Sequence, residues 1–220
     1  VNQDQNDSQN GYQNSWRILW EDNDLLVVSK PVGLLVDSGR GSNDLVSSIG
    51  GGVFAFHRLD RETSGIVMLG KTRRFAKEIT SMFEEKRIRK GYMAVVAGEW
   101  SSTRIEEPIE DRVAVTTFRR FALGNFGGTS ASWIEALPKT GRTHQIRLHC
   151  AGAGHAILGD EKYGVVKSVP DLRGQALHAY RLDFRHPANG ETVAVKSPPI
   201  EWRSSWLAEF DFEPTWAKLF

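Results

Sequence analysis

The chain has 220 residues, 40% of them hydrophobic and 25% charged, with a formal net charge of +1 at neutral pH. That length carries one large domain or two small ones, and that composition excludes an intrinsically disordered chain. The single cysteine, Cys150, excludes both an internal disulfide and a Cys-x-x-Cys zinc site, and it fits a reducing compartment.

The opening stretch "VNQDQNDSQNGYQNS" is polar, rich in Asn and Gln and without period. Residues 1–15 therefore read as a mobile tail, and residues 16–220 as one folded domain. The tail is the opposite of a signal peptide, and no apolar run approaches the roughly 18 residues of a membrane span, so a cytoplasmic protein is expected. The first residue is Val1, not Met, which fits a processed or trimmed product and leaves open whether an upstream module is missing.

"WRILWEDNDLLVVSKP" predicts two strands around an acidic turn, the second ending at Pro31, and "GLLV" continues it in extended form. "DSGRGSND" is loop, "LVSSI" is too short to assign, and Gly50 to Gly52 mark a flexible connection. "FAFHRLD" and "GIVMLGKT" predict strands flanking a polar turn; the second is a continuous apolar run typical of a sheet interior. Thr72 caps a helix in which Phe75, Ile79, Met82 and Phe83 recur at helical spacing. Strands follow at "YMAVVAGEW", "VTTFRRFAL" and "SASWIEAL", and a short helix from Thr143 to about Ala151 is stopped by Gly152 and Gly154. Asn189-Gly190 sets a hairpin between "LHAYRLDFRHP" and "TVAVKSP", and Trp202, Trp206 and Phe210 form a core stripe near the end. Many strands and few helices predict an α+β fold with a large mixed, mainly antiparallel sheet.

Charge is unevenly spread. Residues 71–90 carry eight Lys and Arg against three Glu, whereas 99–111 are acidic. A basic segment from 73 to 90 on a balanced chain suits a polyanion touching one face.

"HRLDRETSG" sets Asp60 between Arg58 and Arg61 and between apolar walls. On strand alternation Arg58 and Asp60 leave the sheet together. In "TGRTHQIRLHC", with 100° per residue, Arg147 falls within the apolar arc of its helix. A guanidinium facing a core needs a carboxylate partner, and Asp60 is the candidate; the alternative is an Arg147 that reaches the edge and binds water. Such a pair holds Asp60 ionised and oriented, as a nucleophile or base must be. His144 and His149 lie about 140° apart on a helix and do not make a zinc site. "ETSGI" lacks the first glycine of a nucleophile elbow, and no P-loop or dinucleotide fingerprint is present.

Taken as a whole, "HRLDRETSG" resembles the signature of the RluA-type pseudouridine synthases, and "LLVVSKPVGLLV", "RKGYMAVVAG", "GRTHQIRLH", "GHAILGDEKYG" and "LHAYRLDFRHP" agree in order and spacing. The resemblance spans roughly residues 18–200. It implies the pseudouridine synthase fold with a central RNA-binding cleft, and isomerisation of uridine to pseudouridine in structured RNA, rRNA or tRNA, by a monomer without metal or other cofactor. It makes Asp60 the catalytic aspartate, Arg147 its ion-pair partner and Tyr92 the tyrosine against the target base. It gives Arg58 the space vacated by the flipped uridine, Ile146 the aliphatic position beside the base, and Lys30 and Pro31 the motif that supports the site. Arg61 and Thr63 of the same signature join the substrate-binding set, and His144 and Gln145 line the cleft. Flipping costs a few kcal/mol, part of which Arg58 offsets by filling the gap. Many relatives carry an N-terminal S4 domain, for which residues 1–15 leave no room; either the catalytic domain recognises RNA alone, or the module was lost upstream of Val1. A non-catalytic RNA-binding protein on the same fold is the rival, and Asp60, Tyr92 and Arg147 count against it because a binder has no need of them.

Overall fold

A computed structural model describes residues 16–39, 43–126, 129–164 and 172–199. Among them, strands β1 (Arg17–Glu21) and β2 (Leu25–Lys30) flank the expected acidic turn, in which Asp22 accepts the backbone N–H groups of Asp24 and Leu25. Helix α1 (Leu45–Ser48) is capped by Asp44, whose carboxylate accepts from the Ser47 amide, so the segment too short to assign is one turn of helix. After β3 (Phe54–Ala55) come β4 (Ser64–Gly70), α2 (Arg73–Glu84) and β5 (Arg89–Ala97). The rest is β6 (Arg104–Ile105), β7 (Thr116–Phe126), β8 (Thr129–Pro138), α3 (Gln145–Gly152), β9 (Leu177–Arg185) and β10 (Thr192–Lys196).

The ten strands form one sheet of order β1-β2-β4-β9-β5-β8-β7-β6, with β3 beside β4 and β10 beside β9. Every pairing is antiparallel except β4 with β9. That parallel join is short, and Gly65 makes it possible. It has φ +111°, and a Cβ there would lie 2.2 Å from the Ala179 carbonyl oxygen, so only glycine lets the backbones meet.

Strand β4 is buried on both faces, as its apolar run predicts. Ile66 and Met68 join Phe75, Ile79 and Met82 of α2 in one core, while Val67 and Leu69 join Leu45 of α1 in another. Thr72 is the N-cap of α2, accepting from the Phe75 amide at 3.1 Å. The basic segment is not one helix: α2 ends at Glu84, Lys86 takes φ +58°, and the chain re-enters the sheet at Arg89. The "GLLV" segment also departs from extended form, turning at Val32 and Gly33 before a bridge at Leu35. The hairpin at Asn189-Gly190 closes with the His186 amide donating to Glu191 at 2.7 Å. The tail and the Trp202, Trp206, Phe210 stripe lie outside the described residues.

The strand expected over 54–60 stops at Ala55. The backbone N–H of Met68 donates to His57 Nε2 at 2.9 Å, so a side chain takes the bond the main chain of a longer β3 would have taken. Alternation therefore does not govern Arg58 and Asp60, which sit in a loop. To accept, His57 must be neutral; burial, helped by Lys90, lowers its pKa to about 3. Burial likewise lowers His178 to about 4, where it bridges Ser64 Oγ and the Ser197 carbonyl. Both folded-state values lie below the unfolded one, so the unfolded chain takes up protons first as pH falls. Stability is expected to fall below about pH 6.5 by up to about 1.4 kcal/mol per pH unit for each histidine. Urea titrations at pH 7 and pH 5 measure this, and an unchanged midpoint contradicts it.

Candidate active site

The loop from 56 to 63 is anchored before it is functional. Leu59 is buried in the core that includes α1, the Thr63 amide donates to the Asp60 carbonyl at 3.1 Å, and the Arg61 carbonyl accepts from the Gly33 amide at 2.9 Å. Beneath it, the fully buried Lys30 ammonium donates to the carbonyls of Pro31, Leu34 and Arg61 at 2.8, 2.8 and 3.1 Å. Lys30 thus ties the turn after β2 to the turn that carries Asp60.

Facing it is the start of α3. His144 precedes that helix in the left-handed region, φ +54°, and provides no side-chain cap. Its ring is turned instead toward the loop: Nε2 is 3.6 Å from Asp60 Oδ1, and Nδ1 is 2.9 Å from the Tyr163 hydroxyl. One turn on, Arg147 Nη1 donates to Asp60 Oδ2 at 2.8 Å. The other side of the same guanidinium, Nε and Nη2, donates to the two oxygens of Asp160, each at 2.8 Å. Burial works against the Arg147 charge, but the two carboxylates outweigh it and hold its pKa above the ordinary arginine value. The guanidinium carbon also lies 5.0 Å from the centre of the Tyr163 ring.

Asp60 keeps 24% of its side chain exposed while Asp160 keeps 1%. The first can meet a substrate; the second cannot. Oδ2 of Asp60 is occupied by Arg147, whereas Oδ1 has His144 Nε2 at 3.6 Å, beyond hydrogen-bond distance. Tyr92, partly buried on β5, packs against the cores on both sides of the site. Burial, with the Asp60 charge adding to it, raises its pKa to about 12, so it stays a neutral phenol.

The structure brings Asp60 and Arg147 together, with Tyr92 close enough to feel the carboxylate. Arg58 and Arg61 are exposed on the loop, and Ile146, in the first turn of α3, is buried in the core against which Tyr92 packs. Lys30 and Pro31 are buried beneath the loop, and Thr63 is 2% exposed and accepts from Gln175 Nε2, so all three are packed under the loop and not exposed on it. Gln145 is also buried, bound to Thr140, Arg142, Val115 and Thr116, because its amide closes the approach to α3 and does not line a cleft. The two residues sequence alone gives no role, Asp160 and Tyr163, stand in "GDEKYG"; their signal was the acid itself, a second carboxylate for a buried guanidinium.

A cavity of about 490 Å³ is lined by Leu35, Val36, Ser38, Ala55, Phe56, His57 and Arg58, and so flanks Asp60 without containing it. The exposed Arg73, Arg74 and Lys77 belong to α2, which covers the β4 face opposite the one on which Leu59 and Tyr92 pack. Lys90 of the basic segment reaches the connection between β8 and α3, its ammonium 3.4 Å from the Thr140 carbonyl. Among the described residues no cluster of three or more His, Cys, Asp or Glu is arranged to hold a metal ion, and no helix is long and apolar enough to cross a membrane.

Residues 24–152 match the family of RNA pseudouridylate synthases. The ribosomal large subunit pseudouridine synthase C of Buchnera aphidicola (Schizaphis graminum) is 32% identical over 208 residues, 82% of this chain and 66% of that protein. The enzyme of the same name from Yersinia pestis is 34% identical over 210 residues, 82% of this chain and 65% of that one. The chain thus spans about two thirds of the length of these relatives. Among solved structures, human RNA pseudouridylate synthase domain containing 1 superposes with a TM-score of 0.73 at 27% identity, covering 92% of this chain and 91% of that one.

Proposed function

The chain belongs to the RNA pseudouridylate synthase family, and from that premise we propose that it isomerises specific uridines of structured RNA to pseudouridine with Asp60 as its one reacting carboxylate. The observation that carries the proposal is the Asp60–Arg147 pair: a carboxylate with one oxygen held at 2.8 Å by a buried guanidinium and 24% of its side chain still exposed. The guanidinium fixes the orientation of the carboxylate, and the oxygen it leaves unbound gives the acid a defined direction of attack.

The target nucleotide must leave its stack to reach that oxygen. Exposed Arg58 is placed to enter the gap, and Arg61 to meet a phosphate. By one route Asp60 removes the C2′ proton as the C1′–N1 bond breaks, and returns it to C2′ when C5 of the rotated uracil bonds to C1′; by the other it bonds to C1′ as N1 leaves, and that ester bond breaks when C5 of the rotated uracil takes its place. In both, C5 gives up its proton and N1 takes one up by exchange with water, so the product is an isomer and no cofactor is consumed. Tyr92, neutral and flanked by apolar cores, supplies a wall that retains the base and excludes water. Lys30, Pro31 and Thr63 act from below by keeping the loop in place.

The relatives named for the ribosomal large subunit favour rRNA as substrate over tRNA. A cytoplasmic monomer that recognises RNA through this domain completes the proposal, with residues 16–220 as its catalytic unit. Tritium release from 5-³H-uridine rRNA transcripts tests it: the wild type is expected to release label. Binding without release supports the rival, an RNA-binding protein on the same fold, and free uracil in place of retained base points to hydrolysis.

Phosphate contacts follow the geometry. Replacing Arg58 and Arg61 together by Gln is expected to weaken RNA binding and to reduce the salt slope, log K against log [salt], by about 1 to 2. The same change at Arg73, Arg74 and Lys77, behind the sheet, is expected to leave the slope unchanged. Filter binding across a salt series measures both, and the reverse order of effects contradicts the placement.

A further inference from the structure

We propose that Asp160 and Tyr163 are the positioning residues of this site: Asp160 aims Arg147, and Tyr163 aims His144, so that the two donors face different oxygens of Asp60. The inference rests on the proposed reaction only for its catalytic consequence; the positioning itself is independent of it.

Asp160 is fixed without help from Arg147. Its Oδ1 accepts the backbone N–H groups of Lys162 and Tyr163 at 3.0 and 3.1 Å, its own amide donates to the Ile157 carbonyl, and its carbonyl accepts from the Gly164 amide. A carboxylate locked into its own turn is a stationary target, and Arg147 docks on it with two of its three nitrogens. Once Nε and Nη2 are held, the planar guanidinium has one direction left for Nη1, and that direction is Asp60 Oδ2. With 1% of its side chain exposed, Asp160 has no route to a substrate. Its influence runs through Arg147.

Tyr163 acts three residues later from the same turn. Its ring lies under the guanidinium, and its hydroxyl meets His144 Nδ1 at 2.9 Å. The groups facing His144 are Asp60 and Asp160, which favour its charged form, and Arg147 and Lys162, which oppose it; burial opposes it most and keeps it below the ordinary histidine value. A neutral ring that accepts the Tyr163 proton at Nδ1 carries its own proton on Nε2, the atom that faces Asp60 Oδ1 at 3.6 Å. The carboxylate facing Nε2 favours the proton there, and the hydroxyl, donating to Nδ1, reinforces that tautomer.

The test uses the full chain and joins two readouts. Wild-type Arg147 is expected to show slowly rotating guanidinium resonances by ¹H–¹⁵N NMR. Asp160→Asn is expected to lose them and to lower kcat for 5-³H-uridine RNA by about 100-fold. KM and RNA affinity stay within about threefold, since no substrate contact is removed. Tyr163→Phe keeps the ring but not the hydroxyl: Arg147 resonances are unchanged, the His144 ¹⁵N shifts move toward a tautomer mixture, and kcat falls by about threefold. Should Asp160→Asn not fold, Asp160→Glu keeps the charge, displaces it by one methylene and reads the same two quantities. The proposal is overturned if Arg147 stays restricted without Asp160, if His144 is indifferent to the hydroxyl, or if kcat survives the loss of restriction. A wild type that holds RNA but makes no pseudouridine refutes the reaction alone, and the resonances still decide the positioning.

Discussion

Asp60→Asn is expected to lower tritium release from 5-³H-uridine RNA by about 10⁴-fold, the upper range for loss of a positioned base. Asparagine keeps the shape and can still accept from Arg147 Nη1, but it has neither the charge to take a proton nor the nucleophilicity to attack carbon. The fold survives the change because Arg147 retains both oxygens of Asp160. The expected stability cost is therefore only about 1 kcal/mol, that of one partly exposed charged hydrogen bond. RNA affinity, which the proposal assigns to the exposed arginines, is expected to stay within about threefold. Single-turnover tritium release and filter binding on one preparation measure the two, and retained release would remove Asp60 from the chemistry.

Arg147→Met is the harsher substitution, and for two reasons at once. It frees Asp60 from its orienting donor, so activity is expected to fall by about 100-fold or more even where RNA affinity is kept. It also strands Asp160, 1% exposed, without its counter-charge. Removing one partner of a buried pair costs about 3–5 kcal/mol; the two backbone N–H groups that still serve Asp160 place the value toward the low end. Combining Arg147→Met with Asp160→Asn removes the orphaned charge and is expected to restore most of the stability and none of the activity. Urea midpoints of the two single variants and the double one decide it: additive destabilisation would mean that the two residues do not share a charge pair.

The legible part of this molecule was the part encoded by neighbours in sequence. Thr72 caps α2 because a cap and its helix are three residues apart. β4 is continuous because seven buried residues in a row leave no other assignment. The hairpin at Asn189-Gly190 is a local turn property. Even the long-range pair of Asp60 and Arg147 was reachable, since an arginine in the apolar arc of a helix demands an acid, and few acids sit between apolar walls.

What stayed illegible depends on partners far along the chain. Nothing near residue 57 announces that its imidazole will accept the Met68 amide and end β3 at Ala55. Lys30 looks like a charge at a strand end, and only the convergence of the Pro31, Leu34 and Arg61 carbonyls makes its full burial tolerable. The basic run of 73–90 looks continuous in sequence, yet the sheet sends α2 to one face and the site to the other.

By itself the sequence determined the family, the kinds of elements, and a lone acid paired with a buried arginine, because motif, periodicity and charge demand are properties of short stretches. Only the tertiary structure decided that the arginine answers to two acids, which oxygen of Asp60 is left free, and which conspicuous residues hold the loop instead of the substrate. Those outcomes are set by three-dimensional saturation of donors and acceptors, and a linear pattern does not record which partners meet.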